Sequence, residues 1–346
     1  MLEKYKMNGQ KSIKEAIKAL DKNEGKVVFI VDEDDILQGI FTQGDMRKYI
    51  LESGDITKSI KHAMNSRPVT YTTIAEAKAA SIEKKMVVYP VIDSKGRLID
   101  ALFERMSVEE NKSQELKHIP LVIMAGGKGT RLYPYTKILP KALIPIGEVT
   151  ISERIIHSFQ NYGCQEVFFV LKHKGNMIRS YYEDIEKEYK VEYIEEKEFL
   201  GTGGGLSLLK GKINSTFFVS NCDVLLDSDF ECIMKTHIQQ QNKITFVCAM
   251  KEVVIPYGIV QTNEHGKIMS MREKPEFSFL TNTGVYVIEP EIIDNLVENE
   301  FIHLPDIAKR LIEQGERVGV FPISEKSWMD MGQFSSMESM LQELGI

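Results

Sequence analysis

A glycine-rich segment with basic residues in and after it is the part of this sequence best suited to chemistry. The run AGGKGTRL, residues 125–132, directly follows the apolar run LVIM, residues 121–124. Glycines at the end of a strand let backbone amides approach an anion with no Cβ in the way. Lys128 and Arg131 lie inside the run, and Lys141 follows in the segment LPKAL. Together these residues predict a polyphosphate site, whereas any one of them alone would suit a tight turn with solvated lysines.

The spacing of these glycines excludes two common nucleotide-binding loops. It matches neither the G-x-x-x-x-G-K-[ST] pattern of P-loop NTPases nor the G-x-G-x-x-G pattern of dinucleotide-binding sheets. A kinase or a dehydrogenase interpretation therefore fails its own pattern test. The sequence also offers no persuasive Ser/His/Asp or Cys/His set for nucleophilic catalysis.

Two aspartates lie in positions where the side chain could either bind a ligand or stabilise a turn. Asp223 follows the apolar run FFVS, residues 217–220, and the carboxyl ends of parallel strands are where α/β sheets bind ligands. Asp330 lies in the segment WMDMG. Each aspartate also suits a turn, as a cap or as its first residue. The strand position favours a functional role for Asp223 more strongly than for Asp330.

The chain from Ile119 onward alternates apolar runs with helical patterns. Such alternation predicts βαβ units and a Rossmann-like, mostly parallel sheet. A helix is predicted at residues 152–159, where Ile155, Ile156 and Phe159 have helical spacing. The predicted strands are residues 120–124, 166–171, 191–194, 216–220, 244–250 and 318–322.

The first 117 residues contain an internal repeat that indicates a separate α+β module. Met7-Asn8 and Met64-Asn65 each open a unit with the order helix, strand, turn, strand, helix. The polar tract at residues 107–117 lacks apolar periodicity and predicts a linker or a loosely held helix end. We therefore predict two domains, residues 1–117 and 118–346.

The repeat resembles a tandem pair of CBS domains, a regulatory module that often binds adenine nucleotides between its two copies. The run GIFTQGD, residues 39–45, matches the family pattern in which a Thr hydroxyl and an Asp carboxylate hold a ribose, here Thr42 and Asp45. The second copy has ALFERM, residues 101–106, without either residue. Thr42 and Asp45 suit a helix cap equally well. The sequence leaves open a nucleotide sensor and a purely structural, dimer-forming module.

Composition limits the partners and the location of the protein. The 346 residues carry 43 basic and 50 acidic side chains, for a net charge of −7, without a block of basic residues. Nucleic acid and anionic membranes are therefore not expected as partners. No apolar stretch predicts a membrane span or an export signal, so a cytoplasmic location is expected. The four cysteines show no metal-like spacing and are expected to be reduced.

The segment from about Ile119 to the C-terminus resembles the sugar-1-phosphate nucleotidyltransferase family. The pattern G-G-x-G-T-R-L followed by P-K, and later segments in the same order, carry the resemblance. These segments are EFLGTGG (198–204), NCD (221–223), EKP (273–275), NTG (282–284) and WMDMG (328–332). The implied reaction is in-line attack by a sugar 1-phosphate oxygen on the α-phosphorus of a nucleoside triphosphate, which releases pyrophosphate.

The resemblance also implies roles for individual residues. Arg131 would neutralise the departing pyrophosphate, Lys141 the α-phosphate and Lys274 the sugar phosphate, while Asp223 and Asp330 would hold Mg²⁺. The nucleotide would contact Ala125, Gly126, Gly127, Lys128, Gly129, Thr130, Glu198, Gly201, Thr202 and Gly203. The sugar phosphate would contact Gly258, Glu273, Lys274, Asn282 and Thr283.

The loop at residues 196–205 resembles the guanylyltransferase branch more than the thymidylyltransferases. GTP is therefore the expected nucleotide, because a carboxylate such as Glu198 can accept from guanine N1–H and its amino group. A CBS pair ahead of a short nucleotidyltransferase resembles enzymes that make a GDP-activated amino sugar for the bacterial legionaminic acid route, which implies glucosamine 1-phosphate. The alternatives are another base, heptose or mannose 1-phosphate, or an inactive nucleotide-sensing regulator. The charged positions of the family motifs are all occupied by the expected residue types in this sequence, which favours an active enzyme. These positions are Arg131, Lys141, Asp223, Lys274 and Asp330.

Overall fold

The chain forms two compact units, Met1–Asn111 and Lys112–Ile346. The computed structural model describes residues 2–23, 26–83, 86, 88–103, 114–332 and 334–345. Most of the predicted linker at residues 107–117 lies outside the described residues. Leu116, near its end, is fully buried in the core of the C-terminal unit, and its N–H donates to the Tyr162 carbonyl at 2.9 Å.

The N-terminal unit repeats one supersecondary pattern, as the sequence predicts. A three-stranded sheet has the order β1-β2-β3, with β1 parallel and β3 antiparallel to β2. The predicted closing helix of the second copy would follow β5, where residues 104–113 lie outside the described residues. The elements are β1 Lys6–Asn8, α1 Ile13–Lys22, β2 Val27–Val31, β3 Leu37–Thr42, α2 Gln43–Glu52, α3 Ile74–Glu83, β4 Val88–Ile92 and β5 Leu98–Phe103.

The C-terminal unit alternates strands and helices from Leu121 onward. Its strands are β6 Leu121–Ala125, β7 Pro145–Ile146, β8 Val149–Thr150, β9 Glu166–Leu171, β10 Lys190–Glu195, β11 Phe217–Asn221, β12 Val224–Leu226, β13 Ile244–Val254, β14 Ile259–Thr262, β15 Ile268–Arg272, β16 Glu276–Ile288, β17 Val318–Ser324 and β18 Trp328–Asp330. Its helices are α4 Tyr135–Ile138, α5 Ile151–Gln160, α6 Gly175–Asp184, α7 Gly201–Gly204, α8 Phe230–Gln239, α9 Pro290–Asp294, α10 Leu304–Glu313 and α11 Phe334–Glu343. All six predicted strands and the predicted helix at 152–159 are present.

A seven-stranded sheet with the order β10-β9-β6-β11-β16-β13-β17 forms the centre of this unit. Neighbouring strands are parallel except at β16, which is antiparallel to both β11 and β13. The prediction of a mostly parallel sheet is confirmed. The sequence analysis did not predict β16, whose second half, residues 283–288, is buried while its first half is partly or fully exposed.

Both faces of the sheet are buried, which explains its apolar strands. In β6, Leu121 and Ile123 pack into the core on one face, while Val122 and Met124 pack on the other. Helix α5 begins with a capping box in which Thr150 and Glu153 satisfy each other's backbone amides. None of the helices in the described part of the chain is long and apolar enough to cross a membrane.

Candidate active site

A cavity of about 290 Å³ opens at the carboxyl edge of the parallel strands. The strands β6, β9, β10 and β11 run parallel as neighbours, so the residues after them meet at one edge. Segments after three of these strands line the cavity. The lining residues are Met124, Gly126, Gly127, Gly129, Thr130, Arg131, Lys141, Glu196, Phe199, Gly201, Thr202, Asn221, Cys222, Asp223 and Gly332.

The glycine-rich loop lies against a buried carboxyl group. A Cβ built on Gly126 would come within 2.5 Å of Glu196 Oε2, so only glycine leaves this carboxyl its place. Thr136 also fixes the loop, because its hydroxyl donates to the Gly129 carbonyl at 2.8 Å. Ala125 is buried in the strand, and Lys128 is exposed and not among the lining residues.

Lys141 and Asp223 form an ion pair inside the cavity. The Lys141 ammonium donates to Asp223 Oδ2, and the two side chains are only 11% and 14% exposed. The pair joins residues that lie 82 positions apart in the sequence. Removing either charge would leave the other buried without its partner, which is costly. The ion pair therefore fixes the Lys141 ammonium and the Asp223 carboxylate next to each other in the cavity.

Asp330 lies beside Asp223 because β12 and β18 pair antiparallel. Val224 is opposite Asp330 in this ladder, and the Met331 N–H donates to the Asp223 carbonyl at 2.9 Å. Burial, and then the negative charge of Asp223, raise the pKa of Asp330, while Lys141 and Arg131 lower it. These interactions place the two predicted carboxylates and two of the predicted cations in one electrostatic cluster.

This cluster has the donor chemistry of a small divalent-cation site. Mg²⁺ typically takes one or two protein carboxylates and completes its shell with water and substrate phosphates. Two neighbouring carboxylates that repel one another would be stabilised by such a charge. The described residues contain no group of three or more His, Cys, Asp or Glu side chains that could hold a metal ion, so the two aspartates would have to share such an ion with water and substrate oxygens.

Glu196 is the functional candidate that the sequence analysis missed. It follows β10 directly, is 5% exposed and lines the cavity, and burial raises its pKa to about 7. Glu198, the carboxylate predicted to read the base, has a 90% exposed side chain and lies 4.0 Å from the Lys172 ammonium. The strand-end argument that identified Asp223 would also have found Glu196.

The loop at residues 200–204 is fixed by the segment at residues 300–304. The Ile302 N–H donates to the Leu200 carbonyl, and the Ile302 carbonyl accepts from Gly203 and Gly204, each at 3.0 Å. Gly201 has a φ of +78°, and a Cβ there would lie 2.5 Å from the Ile302 carbonyl oxygen. Gly201 and Thr202 line the cavity, whereas Gly203 packs on α10.

The residues predicted to bind the sugar phosphate do not line the cavity. Glu273, Lys274 and Asn282 are exposed, and a Cβ on Gly258 would lie 2.7 Å from Glu273 Oε2. Thr283 is 2% exposed, and its hydroxyl donates to the Val247 carbonyl at 2.8 Å. The Thr283 side chain therefore holds the sheet together rather than facing solvent.

In the N-terminal unit, Thr42 and Asp45 form a capping box at the start of α2. The Thr42 hydroxyl and N–H both donate to Asp45 Oδ2, at 2.7 and 2.9 Å. The helix-cap interpretation is confirmed. The ribose-binding role of the pair stays a prediction.

Three curated proteins are among the most similar to this chain. The UTP–glucose-1-phosphate uridylyltransferase of Synechocystis sp. is 29% identical over 61% of this chain and 60% of its own length. The bifunctional protein GlmU of Methanococcus maripaludis is 33% identical over 58% and 48%. The mannose-1-phosphate guanylyltransferase catalytic subunit beta of Drosophila melanogaster is 29% identical over 61% and 59%. The chain matches about half to three fifths of the length of these relatives.

Solved structures share the fold of the C-terminal unit. HddC from Yersinia pseudotuberculosis, complexed with GMP-PN, matches with a TM-score of 0.52 and 22% identity, over 65% of this chain and 99% of its own. A UDP-glucose pyrophosphorylase complexed with UDP-glucose matches with a TM-score of 0.50 and 20% identity, over 66% and 98%.

Family models match both units. A CBS domain matches residues 8–52. The nucleotidyl transferase model matches residues 121–345, which is well over half of the chain and includes every residue of the cavity. The protein therefore belongs to the nucleotidyl transferase family.

Proposed function

We propose that the protein transfers a nucleotidyl group from GTP to a sugar 1-phosphate, with release of pyrophosphate. The observation that supports it most is the cluster of Arg131, Lys141, Asp223 and Asp330 at the mouth of the glycine-rich loop. A sugar phosphate oxygen would attack the α-phosphorus, forming one P–O bond while the bond to the β-phosphate oxygen breaks. The attacking oxygen is already ionised at neutral pH, so the reaction needs no general base.

The cations account for the electrostatic part of this reaction. Both reactants are anions, so their repulsion must be offset before they can meet in line. Lys141 is partly buried and ordered by Asp223, which would hold its ammonium beside the α-phosphate. Arg131 is exposed at the cavity wall, where its guanidinium would meet the outer phosphates.

Asp223 and Asp330 would hold a Mg²⁺ ion in the proposed enzyme. The ion, when bound, would neutralise negative charge on the reacting phosphates. Before that, Lys141 offsets the charge of Asp223, while burial, and then the charge of Asp223, raise the pKa of Asp330.

Glu196 favours guanine as the base. An ionised carboxylate offers two acceptors, which suit guanine N1–H and its amino group. Uracil and thymine present one N–H donor beside a carbonyl acceptor, which suits an amide instead. Glu196 is buried in the cavity, where its Oε1 accepts from the Leu200 N–H at 3.4 Å, so an unmatched base edge would leave the buried Oε2 without a donor from the base.

The relatives include both a uridylyltransferase and a guanylyltransferase at equal identity, so the choice of GTP rests on Glu196. Glucosamine 1-phosphate is the proposed sugar, because the domain order resembles enzymes that make a GDP-activated amino sugar for the legionaminic acid route. Mannose 1-phosphate is the alternative favoured by the name of the Drosophila relative, and heptose 1-phosphate is a third.

A substrate panel tests the proposal. Four nucleoside triphosphates are crossed with glucosamine, mannose and heptose 1-phosphates, and pyrophosphate release is measured with Mg²⁺. GTP with glucosamine 1-phosphate should give the highest kcat/KM. A preference for another base would refute the guanine assignment, and no turnover with any pair would support a regulator without catalytic activity.

Two isosteric variants test which carboxylate reads the base. Glu196→Gln should lower kcat/KM with GTP by about 10- to 100-fold and raise it with UTP, because the amide supplies one donor and one acceptor. Glu198→Gln should leave the base preference unchanged, since that side chain is exposed. The opposite result would return the role to Glu198, as the sequence predicts.

A further inference from the structure

Two exposed aromatic rings stand at the rim of the nucleotide cavity. Phe199 lines the cavity, yet its side chain is 45% exposed, and Phe301 beside it is 59% exposed. Their ring centroids lie 6.1 Å apart in an edge-to-face arrangement. Single exposed apolar residues are common on protein surfaces, but an aromatic pair beside a polar phosphate cavity needs a separate explanation.

The rings are held in place by the loop contacts already described. Phe301 also packs edge-to-face on His303, with ring centroids 5.1 Å apart. The Thr202 N–H donates to His303 Nδ1 at 3.4 Å, and the Leu304 N–H donates to the Thr202 hydroxyl at 3.3 Å. Phe301 thus belongs to a segment that hydrogen-bonds on both sides of a cavity-lining residue, so it can support the neighbouring Phe199 ring.

Phe199 and Glu196 line the same cavity at different depths. Glu196 is 5% exposed, whereas Phe199 lies three residues further along the chain and is open to solvent. A base whose edge meets the buried carboxyl would have its face available to a ring at the rim. Aromatic side chains bind bases in this way, by stacking on the base face.

We propose that Phe199 stacks on the purine base of the bound nucleotide and that Phe301 positions the Phe199 ring. The inference rests on the proposed function, in that it assumes a nucleotide in this cavity. Stacking favours a purine, because its two fused rings cover more of the Phe199 face than a pyrimidine does. Glu196 would then select among bases by their edges and Phe199 by their size.

Binding measurements on the full-length protein test the proposal. Phe199→Ala should raise the Kd for GTP roughly 10-fold or more, while the Kd for inorganic tripolyphosphate, which has no base, should not change. Phe301→Ala should change the Kd for GTP in the same direction by a smaller factor. Phe279→Ala is the matched control, because Phe279 is 48% exposed and does not line the cavity.

A fluorescent variant reports the stacking directly. The chain has one tryptophan, Trp328, so Phe199→Trp adds one signal above a known background. GTP should quench the added fluorescence and tripolyphosphate should not. An unchanged Kd for GTP in Phe199→Ala, equal losses for GTP and tripolyphosphate, or no quenching by GTP would overturn the proposal. Wild-type protein that binds GTP without turnover would count against the proposed reaction alone.

Discussion

At the scale of single residues, the site contains two cations and two carboxylates. One cation and one carboxylate form a direct ion pair, and the other two do not. Lys141 is bonded to Asp223, while Asp330 is buried nearby and has a raised pKa because of burial and Asp223. Arg131 interacts with Asp330 but stays exposed. The cluster therefore combines an ordered ion pair with a second carboxylate that a further positive charge would stabilise, which fits the proposed Mg²⁺ site.

Replacing Lys141 tests whether this ion pair serves catalysis. Lys141→Met keeps the apolar stem and removes the ammonium, so kcat should fall by about 100- to 1000-fold, the effect of losing one charge-stabilising donor. Circular dichroism and kcat are measured together. Lys137→Met is the control, since Lys137 is exposed, contacts the Tyr133 ring and does not line the cavity. Equal losses in both variants would remove the assigned role of Lys141.

The sequence predicts which residues form this cluster, but it does not predict which glutamate of the neighbouring loop is buried. The loop pattern predicts Arg131 and Lys141, the strand end predicts Asp223, and the structure brings all three residues to one cavity. The loop motif predicts Glu198 as the carboxylate that reads the base, but a motif does not show which side chain is buried. The structure shows that Glu196, directly after β10, is buried while the side chain of Glu198 is exposed.

At the scale of elements, the loop at residues 200–204 is positioned by a segment about 100 residues later in the sequence. Residues 200–204 are hydrogen-bonded to residues 300–304, so the shape of the loop depends on the start of α10. The sequence predicts the loop but not this partner, because non-local pairing leaves no local pattern. The same reason explains why β16 was missed, since its antiparallel place between β11 and β13 is set by the whole sheet.

Substituting two glycines with alanine distinguishes a displaced loop from strain in a left-handed backbone conformation. Gly201→Ala adds a Cβ at a φ of +78° and 2.5 Å from the Ile302 carbonyl oxygen, whereas Gly211→Ala adds one at +74° with no atom within 4 Å. Both should lose roughly 1 kcal/mol of folding free energy from the left-handed backbone. Only Gly201→Ala should also raise the KM for GTP, by about 10-fold or more, because the cavity wall shifts.

The measurements are urea unfolding and steady-state kinetics on the same preparations. Gly211→Ala provides the kinetic baseline for a strained glycine position away from the cavity. If both variants show the same KM for GTP as the wild type, residues 201–202 do not shape the nucleotide site, and the packing of residues 300–304 serves stability only.

At the scale of the whole molecule, the chain joins a unit of the nucleotidyl transferase family to an N-terminal unit that matches a CBS domain. The C-terminal unit brings Arg131, Lys141 and Asp223 to one edge of its sheet, because these residues follow the neighbouring parallel strands β6 and β11. The N-terminal unit uses Thr42 and Asp45 to begin a helix. The prediction that this unit binds an adenine nucleotide depends on whether the same two side chains can also hold a ribose.

The protonation of Glu196 should affect stability and nucleotide affinity in opposite directions. Burial raises its pKa from the ordinary value near 4.5 to about 7, so the folded protein binds a proton that the unfolded chain has released between these pH values. Stability from this group is therefore fully present below pH 4.5 and is lost as the pH rises toward 7. Guanine needs the ionised carboxylate, so the affinity for GTP should rise over the same range, by up to about tenfold per pH unit below 7.

Urea unfolding and GTP titration from pH 5 to 8 measure both slopes, and Glu196→Gln supplies the comparison at each pH. The triphosphate also titrates in this range, but it does so equally for both proteins, so the difference between them isolates the carboxyl group. The variant should lose the affinity slope and become more stable relative to the wild type as the pH rises. Parallel curves for the two proteins would mean that Glu196 does not change its charge between pH 5 and 8, and the raised pKa of this carboxyl group would then be wrong.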